Sequence, residues 1–279
     1  MKKRTPGRTQ SIVLRACTYL GTFLTVSVLV FIVGYILARG LPHISADLFA
    51  WQYNSVNVSL MPALINTVFM TGLSLLVALP LGICSAIYLV EYASRSSRVV
   101  PVIRLATETL SGIPSIVYGL FGMLFFVIAL KMRLSLISGA LTLCIMILPL
   151  IIRTTEEALK SVPDTFREGS FGLGAGRLRT VMKIVLPSAV PGILAGVILA
   201  IGRIVGETAA LIYTAGTVAE IADSLFSSSR TLSVHMYVLA SEGFHINKTY
   251  ATAVILLLVV LALNGLSLYV ARKFSKGKV

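Results

Sequence analysis

The amino-acid sequence predicts an all-α integral membrane protein with about six membrane-spanning helices. Of its 279 residues, 56% are hydrophobic and only 13% are charged, and the mean hydropathy is +0.91. An average soluble domain carries about 25% charged residues, and each of its surface helices needs a polar face. The long apolar runs of this chain leave no room for such faces, which argues against a soluble enzyme.

Six apolar runs are long enough to cross a bilayer, which takes about 20 residues. The predicted spans are residues 16–38, 63–89, 105–130, 134–152, 190–213 and 250–271. They divide the chain into a first helix with its flanking segments (residues 1–59), a transmembrane domain (residues 60–272) and a short tail (residues 273–279). No internal repeat of 20 to 50 residues is evident.

The basic residues predict how the chain is oriented in the membrane. With both termini in the cytoplasm, 18 of the 24 Lys and Arg residues fall on the cytoplasmic side, five fall outside, and Arg203 lies within a span. This asymmetry agrees with the positive-inside rule. The formal net charge of +13 therefore indicates membrane orientation rather than nucleic-acid binding.

No pattern in the chain is typical of catalysis, of a disulfide or of a metal site. The cysteines lie in separate apolar runs, and the histidines are scattered over predicted external loops, where we expect them at the surface; these residues are Cys17, Cys84, Cys144, His43, His235 and His245. A phosphate-binding G-x-x-x-x-G-K-[ST] loop is also missing. The chain therefore cannot hydrolyse ATP by itself.

Two charged residues, Arg203 and Glu207, fall within the fifth predicted span. Because they are four residues apart, we expect them on one helix face and within reach of each other. A charge at mid-membrane costs about 2.5 to 3.5 kcal/mol, so such residues usually face a water-filled path or a bundle interior. Either the pair neutralises itself and joins helices, or Arg203 offers its planar fork to an oxyanion while Glu207 holds the guanidinium.

Three further charged residues lie near the predicted cytoplasmic ends of spans. Arg153 lies at the end of span four and is a candidate companion of Arg203 in binding an oxyanion. Alternatively, it is an ordinary arginine at the membrane interface. Arg104 and Glu108, another pair four residues apart, lie at the start of span three and are candidates to shape the same path. Alternatively, they are charged residues of the kind that commonly begin a helix. Beyond them, residues 111–115 contain Pro114, which predicts a kink. Glycines at positions 192, 196, 202 and 206 predict close helix packing.

Between spans four and five, residues 164–185 predict two short helices that form an elbow. Thr165 and Glu168 have the spacing of a capping box, so the first helix would begin there and end before Gly169. The second would run from residue 177 to residue 185. Glycines at 172, 174 and 176 allow a sharp reversal between them. The elbow would present Phe166, Phe171 and Leu173 to a partner's groove; an ordinary solvated loop is the alternative.

The elbow resembles the EAA loop of bacterial ABC importer permeases, whose pattern is E-A-A-x3-G-x9-I-x-L-P. The matching residues are Glu168, Gly174, Ile184, Leu186 and Pro187, whereas Gly169 and Ser170 replace the two alanines. The glycine weakens the helix by roughly 1 kcal/mol. The resemblance implies that these seven residues form a cytoplasmic coupling helix and its flank, resting on the ATPase subunit.

Residues 110–122, 153–156 and 202–209 resemble the phosphate-importing branch of these permeases. The resemblance implies a type I ABC importer permease with the MetI-like fold, spanning the bacterial inner membrane several times. Its partners would be membrane lipid, a second homologous permease, two copies of an ATPase that uses ATP and Mg²⁺, and an external phosphate-binding protein; this chain itself would bind no cofactor. The substrate path would contain Arg203, Glu207, Arg153, Arg104 and Glu108. A permease for another oxyanion such as sulfate or molybdate, a secondary transporter or channel, and a purely structural subunit remain alternatives.

Overall fold

In the computed structural model, residues 8–94 and 98–276 are described. Within them the chain forms eleven α-helices and no strand. The helices are α1 (Arg8–Gly40), α2 (Met61–Ile87), α3 (Val99–Ser111), α4 (Ser115–Gly122), α5 (Leu136–Lys160), α6 (Asp164–Gly172), α7 (Arg177–Thr180), α8 (Leu186–Gly206), α9 (Ala209–Thr214), α10 (Leu232–Glu242) and α11 (Ile246–Lys276). The parts of the predicted termini at residues 1–7 and 277–279 lie outside the described residues.

Five of the described helices are long and apolar enough to cross a membrane singly, and a bent pair of helices brings the number to as many as six. This confirms the predicted class and number of spans. The helix ends differ from the predicted ones, because helices continue beyond the apolar run. Helix α5, for example, ends at Lys160, eight residues beyond the predicted span.

The predicted kink at Pro114 is confirmed, and it divides the third predicted span into two helical parts. Helix α3 ends at Ser111, and the chain resumes at Ser115 as α4, which continues as a π-helical segment, Met123–Ala129. The two parts are bent by 102°. Pro114 explains the break, because a proline disfavours the helical conformation of the residue before it and donates no backbone hydrogen bond.

Helix α5 occupies the centre of the fold and packs along α2 and α8. Close approach depends on glycines: a Cβ atom at Gly82 would lie 2.6 Å from the Ile151 side chain, and one at Gly192 would lie 2.7 Å from the Ala158 Cβ. At Gly196 it would collide with Thr154. The predicted close packing is thus confirmed for Gly192 and Gly196, while Gly202 and Gly206 have no such neighbour in the described structure.

Helix α1 lies at the edge of the bundle. It packs against α11, where the rings of Tyr35 and Tyr250 meet edge to face at 5.9 Å. A Cβ atom at Gly40 would collide with the Tyr250 carbonyl oxygen, so these two helices touch closely at one end. Most of the apolar side chains of α1 are exposed and pack against no other helix of the described residues.

The helix that follows the elbow is continuous from Arg177 to Gly206. The predicted separate helix at residues 177–185 is therefore wrong, as is the predicted end of span five at residue 213. A π-helical segment, Val181–Val185, lies between α7 and α8 and precedes Pro187. A proline lacks the backbone N–H that an α-helix would use, so irregular pairing beside it is expected. At its other end the helix stops at Gly206, and Glu207 is extended.

The segment between predicted spans five and six, residues 214–249, is partly helical and partly buried. Helix α10 places Leu232, Val234, His235 and Leu239 in the interior. The prediction that all three histidines lie at the surface is wrong for His235, which is fully buried. Helix α10, with 11 residues, is too short to cross a membrane, yet it packs against α2, α8 and α11.

Candidate functional site

A cleft of about 400 Å³ opens beside α5, between α3 and the end of α8. It brings together four of the five predicted path residues, from three separate helices. The lining residues are Arg104, Thr107, Glu108, Ser111, Pro149, Leu150, Arg153, Thr154, Glu156, Glu157, Lys160 and Arg203. The fifth predicted residue, Glu207, does not line it.

Arg203 reaches the cleft from the last turn of α8, where it is partly buried. No carboxylate of the described residues lies within 4.0 Å of its guanidinium. A guanidinium presents five N–H donors in a fixed plane and keeps its charge at any physiological pH. Arg203 therefore offers the cleft a permanent positive charge that no ion pair engages.

The predicted pairing of Arg203 with Glu207 is wrong. Because the helix ends at Gly206, the two side chains do not share a helix face. The buried Glu207 carboxylate instead accepts a hydrogen bond from the backbone N–H of Ala210 at 3.0 Å, at the start of α9. Its backbone carbonyl accepts another from Ser233 Oγ at 2.5 Å. Glu207 thus stabilises the junction of α8, α9 and α10.

The predicted pairing of Arg104 with Glu108 is wrong as well. Arg104 Nη2 lies 2.5 Å from Glu156 Oε1, across the interface between α3 and α5. The same carboxylate oxygen accepts a hydrogen bond from Lys160 Nζ at 2.9 Å. Glu108 is exposed in the cleft, and no cationic group of the described residues lies within 4.0 Å of its carboxylate.

Arg153 lies at the rim of the cleft, where its Nε donates to Glu157 Oε1 at 3.1 Å. About two thirds of both side chains is exposed. An exposed pair of this kind contributes little to stability and separates easily. Arg153 is therefore free to turn toward an anion that enters the cleft.

Among the described residues, the charges of the cleft leave one cation and one carboxylate without an ion-pair partner. Arg104, Arg153 and Lys160 each have a carboxylate partner, and Glu156 and Glu157 supply it. Arg203 and Glu108 remain. A site with an unengaged guanidinium and an unengaged carboxylate suits an anion that itself carries a proton, because the carboxylate accepts a hydrogen bond from it.

The elbow is present, with one helix longer than predicted. Helix α6 runs from Asp164 through Gly169 to Gly172, and Pro163 precedes it without a side-chain cap, so the predicted capping box is wrong. Gly174 adopts the left-handed conformation (φ +80°) that the reversal requires. Leu173, at the tip, is 91% exposed, and Phe166 and Phe171 are about half exposed.

The predicted coupling residues lie on both sides of this reversal. Glu168 and Gly169 are exposed on α6, whereas Ser170 is buried and its hydroxyl lies 2.8 Å from Thr180 Oγ1. Gly174 lies at the reversal itself. The other three lie partly buried in the first third of the long helix: Ile184, Leu186 and Pro187. Leu186 packs into an apolar cluster that ties this end of α8 to α5.

Residues 78–276 match the family described as the binding-protein-dependent transport system inner membrane component. This segment contains the cleft, the elbow and every span except the first and the beginning of the second. The chain belongs to that family. It is therefore a multi-pass inner-membrane permease subunit of a binding-protein-dependent transporter, and not an enzyme.

Several relatives resemble this permease over most of its length. A probable ABC transporter permease, YqgI of Bacillus subtilis, is 33% identical over 232 residues, covering 78% of this chain and 79% of that protein. The phosphate transport system permease protein PstA of Haemophilus influenzae is 32% identical over 261 residues, covering 92% of each. PstA 1 of Mycobacterium tuberculosis H37Rv is 35% identical over 206 residues, or 72% of this chain and 66% of that protein.

Solved structures share the fold of the permease. A bacterial alginate ABC transporter in complex with an alginate-bound periplasmic protein superposes with a TM-score of 0.69 at 17% identity, covering 95% of this chain and 98% of that one. A chain of the MetNI methionine transporter gives a TM-score of 0.60 at 18% identity, covering 86% and 96%. The predicted MetI-like fold is thereby confirmed.

Sequence reasoning missed Glu156 and Lys160 as parts of the cleft. Their spacing of four residues on one helix is a local signal that could have identified the pair. The contact of Glu156 with Arg104 had no local signal, because it joins helices 52 positions apart in the chain. Among the described residues, no group of three or more His, Cys, Asp or Glu side chains is placed to hold a metal ion.

Proposed function

We propose that this chain is one of two permease subunits of an ATP-driven importer that moves inorganic phosphate into the cell. The unengaged guanidinium of Arg203, in a cleft that other cations line, is the observation that carries the proposal. Relatives named phosphate transport permeases support the choice of substrate. The path would comprise Arg203, Arg153, Arg104 and Glu108, with Glu207 holding the helix junction behind Arg203.

Glu108 favours phosphate over sulfate as the anion. Phosphate retains at least one proton at neutral pH and can donate it to a carboxylate in a hydrogen bond. Sulfate has no proton to donate, so it cannot form this hydrogen bond with the Glu108 carboxylate. Arg203 would bind two oxygens of the same anion through its planar fork.

The elbow would dock into a groove of the ATPase subunit on the cytoplasmic side. Its exposed apolar tip, Phe166, Phe171 and Leu173, suits such a groove. The complete importer would contain a PstC-like second permease, two PstB-like ATPase subunits that bind ATP and Mg²⁺, and an external PstS-like phosphate-binding protein. Both termini of the permease would lie in the cytoplasm, as the distribution of basic residues indicates.

Phosphate uptake into vesicles that contain the reconstituted importer tests this function. Arg203→Lys keeps the charge but loses the fork, so we expect uptake to fall roughly tenfold, the equivalent of one charge-assisted hydrogen bond. Arg133→Lys, an exposed arginine outside the cleft, is the matched control and should leave uptake unchanged. Uptake that persists without the ATPase subunits would favour a secondary transporter, and sulfate uptake in place of phosphate would contradict the proposed substrate.

A further inference from the structure

Arg167, on the elbow helix α6, forms a nearly buried ion pair with Glu91. Its Nη2 lies 2.7 Å from Glu91 Oε1, and its Nε donates to the same oxygen at 3.1 Å. Only 14% of the Arg167 side chain and 8% of the Glu91 side chain are exposed. This distinguishes the pair from exposed ones such as Arg153 with Glu157, because solvent screens it far less.

The other donors of Arg167 are also engaged, by the last turn of α5 and by the residues that follow it. Nη2 donates to the Leu159 carbonyl at 2.9 Å and Nη1 donates to the Val162 carbonyl at 2.8 Å. Carbonyls at the end of a helix lack partners within the helix and carry partial negative charge, so a guanidinium satisfies them well. Asp164 Oδ1 accepts from Nη1 at 3.1 Å and completes the set.

Arg167 thus joins the elbow to two of the central helices at once. Glu91 lies in the π-helical segment Tyr88–Tyr92 that ends the second span, and Leu159 lies in the last turn of α5. One turn before Leu159, α5 carries Glu156, and another turn before it Arg153, both of which line the cleft. A short, stiff length of helix therefore separates the Arg167 contacts from the cleft.

The elbow has a second, weaker attachment. Ser170 Oγ lies 2.8 Å from Thr180 Oγ1, and both hydroxyls are buried. Thr180 immediately precedes the π-helical segment Val181–Val185, which leads into the helix that carries Arg203. Glu91 therefore lies within one π-helical segment, and Thr180 lies directly before another. Such segments interrupt the regular hydrogen-bond ladder and are places where helices bend.

We propose that Arg167 is a positioning residue that transmits displacement of the elbow to α2 and α5, and so couples ATP hydrolysis to transport. This role rests on the proposed function. Without the guanidinium, the exposed tip of the elbow still docks on the ATPase subunit, because Leu173 and Phe171 take no part in the ion pair. Its movement is then passed to α2 and α5 less completely, because only the chain connections and the contact of Ser170 with Thr180 still join the elbow to the spans. The loss therefore falls on transport per ATP hydrolysed rather than on hydrolysis itself.

The test measures phosphate uptake and ATP hydrolysis in the same vesicles, with the complete reconstituted importer. Arg167→Met keeps the apolar stem and removes every donor, and we expect the ratio of phosphate transported to ATP hydrolysed to fall about five- to tenfold. Glu91→Gln keeps one acceptor oxygen, so its ratio should fall about two- to threefold. Arg179→Met, an exposed arginine in the first turn of the helix that follows the elbow, removes the same charge and should leave the ratio unchanged.

A proportional loss of both activities in Arg167→Met would overturn the proposal, because a merely structural role lowers the amount of folded importer without changing the ratio. An unchanged ratio at full activity would overturn it equally. If Arg167→Met does not assemble, Glu91→Gln decides by the same criterion. Failure of the proposed function is distinguishable, because then the wild-type vesicles themselves take up no phosphate.

Discussion

Arg104 and Glu156 join helices α3 and α5 at the edge of the cleft, with Nη2 and Oε1 2.5 Å apart. Glu156 is buried, and Lys160 donates to the same oxygen from one helical turn away. One carboxylate is thus shared between two cations. The contact compensates a negative charge that would otherwise repel an anion close to Arg203.

This arrangement predicts a compensating pair of substitutions. Arg104→Gln leaves Glu156 with Lys160 alone, and the less compensated carboxylate should raise the KM for phosphate about threefold by repulsion at short range. Arg104→Gln combined with Glu156→Gln removes both charges and should return KM to near the wild-type value. Uptake measured over a range of phosphate concentrations checks this. A double variant as impaired as Arg104→Gln would mean that Arg104 contacts the anion directly.

The close contact between α5 and α8 predicts that one added methyl group at Gly196 lowers the stability of the permease. In Gly196→Ala the new Cβ collides with Thr154, so the helices must separate, and we expect a loss of about 1 to 3 kcal/mol of unfolding free energy. Gly72→Ala makes the same chemical change on α2 where no atom lies within 4 Å, and should be tolerated. Thermal unfolding in detergent compares the two; equal midpoints would contradict the close packing.

His235 predicts a loss of stability in acid. Burial, and then the nearby Arg230 guanidinium, lower the pKa of His235 to about 3 from its usual 6.5, in a helix that is not one of the spans. Because the unfolded chain binds the proton first, stability is complete above about pH 6.5 and declines as the pH falls from there toward 3. The decline is about 1.4 kcal/mol per pH unit.

Thermal unfolding at several pH values between 7.5 and 4.5 checks the effect of His235. His235→Gln does not titrate, so its stability should depend less steeply on pH than that of the wild type over this range. Parallel curves for the two proteins would show that the imidazole takes up its proton equally well in the folded state.

The elbow tip predicts a defect in subunit association. Leu173 is 91% exposed, and burying a leucine side chain on docking contributes about 1.5 to 3 kcal/mol. Leu173→Ser should therefore weaken capture of the ATPase subunit by the purified permease roughly tenfold or more. Phe244→Ser, an equally exposed apolar residue remote from the elbow, serves as the control. Undiminished capture by Leu173→Ser would place the docking surface elsewhere.

Much of the fold is predictable from the sequence because bilayer thickness imposes a length on every span. Apolar runs of about 20 residues therefore located the spans, and the glycine at position 174 located the reversal of the elbow. The bend of 102° was not predictable. Pro114 indicates a break, but the angle follows from packing of α4 against α9, where Gly119 approaches Ala210.

The candidate site was predictable in its residue types and not in its pairings. Arg203 was identified because a charge in an apolar run is costly, and Arg153 and Arg104 were identified as charged residues at the ends of spans. The partners were then inferred from a spacing of four residues, which requires both residues to lie in one helix. Glu207 does not meet this condition, because α8 ends at Gly206. Partners on other helices, such as Glu91 for Arg167, are 76 positions away and leave no local trace in the sequence.

The bend in the third span determines where lipid must be absent. Its two limbs contain 13 and 15 residues, each only about 20 Å long as a helix, so neither crosses the hydrocarbon layer alone. Backbone N–H and C=O groups that lose their helical partners at the bend find no hydrogen-bond partner in hydrocarbon, so they need protein or water around them. Lipid acyl chains therefore cannot cover the permease at this bend. A neighbouring subunit or a water-filled vestibule has to lie against it.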